Sequence, residues 1–66
     1  MVSFRDHMRR IPVLTELSIR HVRENKLDLA REDLLNISIN VNEAMQQLDE
    51  WTLLLDQNTE PSNNQN

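Results

Sequence analysis

The sequence predicts an all-α chain, an antiparallel helical hairpin built from a short helix A and a long helix B. Three observations predict it: an apolar seam at heptad spacing from Leu27 to Leu55, a second apolar helical face ahead of it, and the absence of glycine. Glycine serves mainly where the backbone needs positive φ, so its absence leaves few tight turns. One phenylalanine, one tryptophan and no tyrosine leave little material for a β-sandwich or an aromatic-lined pocket.

The seam consists of Leu27, Ala30, Leu34, Ile37, Val41, Ala44, Leu48, Trp51 and Leu55, spaced alternately three and four residues apart. This is the repeat that keeps one stripe of a helix facing a partner helix. No proline interrupts it, so helix B is drawn over about residues 27–56. Asp28, Glu32 and Asp33 near its start suit the positive end of the helix dipole. Asn25 either caps helix B or closes the preceding helix in a left-handed conformation. Both readings turn the chain at Asn25 and Lys26.

Helix A is drawn over about residues 12–24, with Pro12 at a first helical position and Val13, Leu14, Leu17, Ile19 and Val22 as its apolar residues. Upstream, Ser3 followed by Asp6 has the form of a capping box and starts a short helix from Phe4 to Arg10. Ile11 precedes proline and is biased away from helical φ/ψ, which predicts a break there. The chain thus divides into a basic segment at 1–11, a hairpin at 12–56 and a disordered polar tail at 57–66.

Leu14, Leu17, the small Ser18 and His21, then the turn Asn25, Lys26 and Leu27, then Ala30, Leu34 and Ile37 form one helix-turn-helix pattern. It resembles a single tetratricopeptide unit over about a third of the chain, with no second copy. The resemblance implies the hairpin geometry and nothing of function. The expected hairpin core is Leu14, Leu17, His21, Leu27, Ala30, Leu34 and Ile37.

A helix A of this length reaches back only to Ile39 or Asn40 of helix B. Val41, Ala44, Leu48, Trp51, Leu54 and Leu55 are then left as the interface for a partner. A second copy of the hairpin covers them most economically, giving a homodimeric four-helix bundle. A further apolar set on helix B, Leu35, Ile39 and Leu53 with Leu29, is either covered by helix A and the N-terminal segment or forms a second docking face.

Sixty-six residues without a cysteine make one domain with a marginal core and no disulfide. Oligomerisation is the support that remains. Charge is divided: residues 1–26 carry six basic against three acidic side chains, residues 27–66 one against eight. The simplest reading lays a basic helix A on an acidic helix B. The alternative gathers Arg5, Arg9, Arg10, Arg20, Arg23 and Lys26 into a stripe for phosphates. The layout is similar in general to Rop-type plasmid regulators, RNA-binding four-helix bundles, with no shared residue motif. A pI near 4.9 argues against nucleic acid.

Two histidines, no cysteine and no glycine-rich loop exclude the familiar catalytic constellations. His21 and Glu24 lie three apart, but in the reverse order of the Glu-x-x-His of di-iron bundles, and no carboxylates on the helix B seam complete a site. No enzyme activity, metal or cofactor is expected. No apolar run reaches the length of a membrane span and no secretory signal is evident, which predicts a cytoplasmic protein without a membrane partner. The expected function is that of a small non-catalytic regulator or adaptor, such as an inhibitor, accessory factor or assembly chaperone of a bacterium or phage. It would act by helix-mediated binding to itself and to an unidentified protein target. The alternative is a dimeric RNA- or DNA-binding regulator.

Overall fold

The computed structural model describes residues 3–59, and these form two helices, α1 (Phe4–Arg23) and α2 (Leu27–Thr59), packed side by side in a hairpin. The expected disordered tail lies, beyond 59, outside the described residues; 57–59 continue α2.

The start of α1 follows the sequence. The Ser3 hydroxyl accepts from the Asp6 backbone N–H and the Asp6 carboxylate accepts from the Ser3 N–H, both at 3.3 Å. This reciprocal pair satisfies two donors that a helix start otherwise leaves open. The bond from the Ser3 backbone, followed by that from its hydroxyl, holds the Asp6 carboxyl below its ordinary range, with Arg10 and Arg9 contributing.

The expected break at Ile11 is absent: α1 runs unbroken through Pro12 for 20 residues. Proline at this position removes the hydrogen bond to the Met8 carbonyl and crowds it, at a cost of about 3 kcal/mol. Met8 and Pro12 both lie on exposed positions, where water can satisfy that carbonyl. Packing on α2 continues on either side of the proline, from Phe4 and His7 before it to Leu14 and His21 after it. That shared interface overrides the local preference.

At the other end, the Asn25 N–H donates to the Val22 carbonyl at 3.0 Å and the Lys26 N–H to the His21 carbonyl at 2.7 Å. With Asn25 at φ 62°, this is a Schellman closure in which asparagine takes the left-handed position usually held by glycine. Of the two readings of Asn25, the structure selects the closure of α1. An alanine there pays the β-carbon penalty of about 1–2 kcal/mol, which asparagine partly escapes. Asn25→Ala is expected to lower stability in urea by about 1 kcal/mol, whereas Asn25→Gly leaves it level or slightly raised. An unchanged midpoint for the alanine variant would contradict this role.

Because α1 begins at Phe4 rather than Pro12, it covers more of α2 than the sequence suggests. His7 sits against Asn40 and Glu43, and Phe4 meets Trp51 with ring centroids 5.7 Å apart at 55°. The uncovered length of α2 therefore begins after Trp51, not at Val41.

Candidate protein-binding surface

The hairpin interface is built on two lines of α2. One is apolar: Ala30, Ile37 and Ala44 are buried or half-buried. The other is polar: Asp33 and Asn40 are buried at 5% and 8% exposure, and Gln47 is half-buried. Together they repeat at spacings of three and four, as a helix packed along its length on another requires. From α1 come Phe4, His7, Ile11, Leu14, Leu17, Ser18 and His21, a matching repeat.

Asp33 and Asn40 are paired across the interface. His21 Nδ1 lies 2.6 Å from Asp33 Oδ2, donating to a carboxylate that is nearly out of water. His7 Nδ1 lies 2.8 Å from Asn40 Oδ1, and the Asn40 amide donates onward to the Asn36 carbonyl at 2.8 Å. Because that amide nitrogen is committed as donor, Oδ1 accepts and His7 Nδ1 donates. The second His7 nitrogen is 3.3 Å from Glu43 Oε1, a contact that gains charge when the ring is protonated. Sequence reasoning missed His7, Asp33 and Asn40. The signal was there: His7, Leu14 and His21 stand seven apart, as do Asp33, Asn40 and Gln47.

With its polar line turned inward, the hairpin leaves the other half of the heptad seam outside. Leu27, Leu34, Val41 and Leu48 stand seven residues apart and are 60%, 59%, 38% and 44% exposed. The seam thus divides around the helix and not along it. Leu27 and Leu34, expected in the hairpin core, are outside it, whereas Ala44, expected to await a partner, is buried against α1. Leu14, Leu17, His21, Ala30 and Ile37 do lie in the hairpin interface.

The two faces of the hairpin differ. On one, Asp6, Arg9, Arg10, Val13 and Leu14 of α1 share an open groove of about 650 Å³ with Asn36, Ile39, Asn40 and Glu43 of α2. In an antiparallel pair, the positions one residue to the other side of each interface line must share the opposite face. On α2 these are Leu27, Arg31, Leu34, Ser38, Val41, Met45 and Leu48; on α1 they are Arg5, Met8, Pro12, Thr15, Ile19 and Val22. The eight large apolar side chains among them are each at least 38% exposed, and Arg5 and Arg31 stand at the margins of the face. This face is therefore predominantly apolar, whereas the groove face carries Asp6, Arg9, Arg10 and Glu43 beside Val13, Leu14 and Ile39.

The remaining expected sites do not converge. Leu35, Ile39 and Leu53 are exposed, but Leu53 lies about 21 Å along the helix from Ile39, so they make no single groove. Leu54 and Leu55 are exposed on α2 beyond Trp51, which is itself 47% exposed. Arg5, Arg9, Arg20 and Arg23 share the exposed side of α1 with Glu16, Arg10 borders the groove with Asp6, and Lys26 is 3.1 Å from Glu24. Among the described residues no three His, Cys, Asp or Glu side chains are placed to hold a metal ion, and no helix is long and apolar enough to cross a membrane. No family model matches the chain, and comparison with curated proteins and with solved structures finds no relative.

Proposed function

We propose that this chain is a non-catalytic protein-binding module, a small regulator or adaptor, that works through the apolar face of its hairpin. Its first partner is a second copy, which completes a four-helix bundle. The observation that carries this reading is the predominantly apolar face formed by Met8, Ile19, Val22, Leu27, Leu34, Val41, Met45 and Leu48. A contiguous apolar face of this kind marks an interaction site, and a hairpin whose buried apolar residues, among those described, are Ala30 and Ala44 needs a partner to complete its core.

The partner is a helical surface, because the exposed line repeats every seven residues and accepts knobs from a helix lying along it. If association stabilises the fold, the unfolding midpoint depends on protein concentration by mass action. The melting temperature is expected to rise by several degrees between about 2 and 200 μM, with sedimentation giving the mass of two chains at the upper end. A midpoint independent of concentration, with a single-chain mass throughout, would remove self-association from the proposal.

A further inference from the structure

We infer that the outer side of α1 is a second binding surface, which takes the backbone phosphates of a nucleic-acid duplex through Arg5, Arg9, Arg20 and Arg23. All four are exposed, and at about 3.6 residues per turn they fall within about a sixth of the helix circumference. Leu14 of the hairpin interface stands nine residues, about two and a half turns, from both Arg5 and Arg23, so the row points away from α2. Arg5 borders the apolar face, and the other three lie beyond it.

The fold does not use these arginines in ion pairs. Among the described residues the ion pairs are His7 with Glu43, His21 with Asp33 and Lys26 with Glu24, and none includes an arginine. The acidic helix is met at the interface by histidines, while the row on α1 faces water. Helix stability accounts for half of it: Arg20 and Arg23 in the last turn suit the negative end of the helix dipole. Arg5 stands in the first turn, at the positive end, where a cation is unfavourable.

Side-chain chemistry and spacing select the ligand. Six of the seven basic residues are arginine. A planar guanidinium gives a phosphate two parallel N–H donors, whereas a lysine serves as a point charge. Arg5 with Arg9 and Arg20 with Arg23 form two clusters whose centres are about 22 Å apart along the axis. No single phosphate spans that gap, so the ligand is a polyanion. A duplex carries one charge per ~1.7 Å of its axis, which sets about sixteen phosphates along the ~27 Å from Arg5 to Arg23. Phosphates at that density meet unevenly spaced arginines in any register; an acidic helix, with about one carboxylate per turn on a face, does not. Glu16 lies in the row, and four arginines against one glutamate leave it a formal +3. The acidic balance of the chain comes from α2, where seven carboxylates oppose Arg31, on the other helix of the hairpin.

Fluorescence anisotropy of short end-labelled DNA and RNA duplexes, titrated with the full chain, tests this surface. Three to four phosphate contacts predict a slope of about −3 in log affinity against log salt, and so binding about 60-fold weaker at ~200 mM than at ~50 mM salt. Arg9→Gln and Arg20→Gln, one in each cluster, are each expected to bind about tenfold more weakly at ~50 mM salt with helical circular dichroism unchanged. Arg31→Gln, which removes the same charge from an exposed position on α2, is expected to bind as the parent does. This pattern with either duplex supports the surface, and the tighter of the two names its source. Absence of binding to both duplexes at ~50 mM salt overturns it, as does an equal loss for Arg31→Gln. A polyglutamate peptide that competes as well as unlabelled duplex also overturns it and assigns the row to an acidic protein. Each of these failures leaves the apolar face and its self-association standing, because Arg9 and Arg20 lie off that face.

Discussion

Replacing His21 by leucine is expected to cost about 3–5 kcal/mol and leave the chain largely unfolded, because it strands the Asp33 carboxylate in the helix interface. Asp33 is 5% exposed and its partner nitrogen is 2.6 Å away. A carboxylate held in such surroundings without its donor must be desolvated unpaired, be neutralised by a proton, or drag the helices apart, each at a cost in stability. At about 0.05–0.15 kcal/mol per residue, a chain of 66 residues has only about 3–10 kcal/mol of stability in total. Loss of the pair would consume most of it.

The same reasoning makes the double replacement His21→Leu with Asp33→Leu behave in the opposite sense. Well-packed apolar residues in place of a buried polar pair are commonly neutral or stabilising by about 1–4 kcal/mol. The double variant should therefore recover helical circular dichroism and unfold in urea at or above the parent. A single variant within about 1 kcal/mol of the parent would show that the pair is solvated in practice. A double variant as damaged as the single would show that His21 and Asp33 matter separately.

A buried polar line distinguishes between helix registers in a way that an apolar one does not. An apolar inner line would let either flank of α2 face α1, since Ala30, Ile37 and Ala44 are common to both registers. Pairing His21 with Asp33 and His7 with Asn40 fixes which flank is used, in the way a polar residue at a core position fixes coiled-coil register. The line Leu27, Leu34, Val41 and Leu48 is then held outward.

This explains which parts of the fold were legible. The capping box at Ser3 and Asp6, the turn at Asn25 and Lys26, and the helical periodicity are local properties, and the structure has each of them. The helix through Pro12 was not legible, because the penalty is local whereas the packing of Phe4, His7, Leu14 and His21 that offsets it is tertiary. Hydrophobic periodicity likewise marked the apolar stripe of α2 but not which of its members turn toward α1. The nine-residue seam was real as a pattern, yet choosing between Leu34 and Asp33 as the inward neighbour of Ala30 required knowing that His21 stands opposite.

The second large effect is expected at Leu34, and its size comes from the contrast between the lone hairpin and the dimer. In the hairpin Leu34 is 59% exposed, so Leu34→Asp meets water there and should leave helix content nearly intact. In a bundle of two apolar faces the same position is enclosed, and the substitution removes a leucine and adds an unpaired carboxylate in each copy. Lost burial of roughly 1.5–3 kcal/mol per leucine gives at least about 3–6 kcal/mol over two copies before the charge is counted. That corresponds to a dissociation constant raised by roughly a hundredfold to ten-thousandfold or more. The control is Ile39→Asp, which removes an equally exposed aliphatic side chain, at 52%, from the charged face beside Arg9, Arg10 and Glu43. Sedimentation should find Leu34→Asp as single chains at concentrations where the parent and Ile39→Asp are dimers. If both variants dissociate alike, net acidity and not the apolar face governs association. If Leu34→Asp stays dimeric, the two copies meet elsewhere on the hairpin.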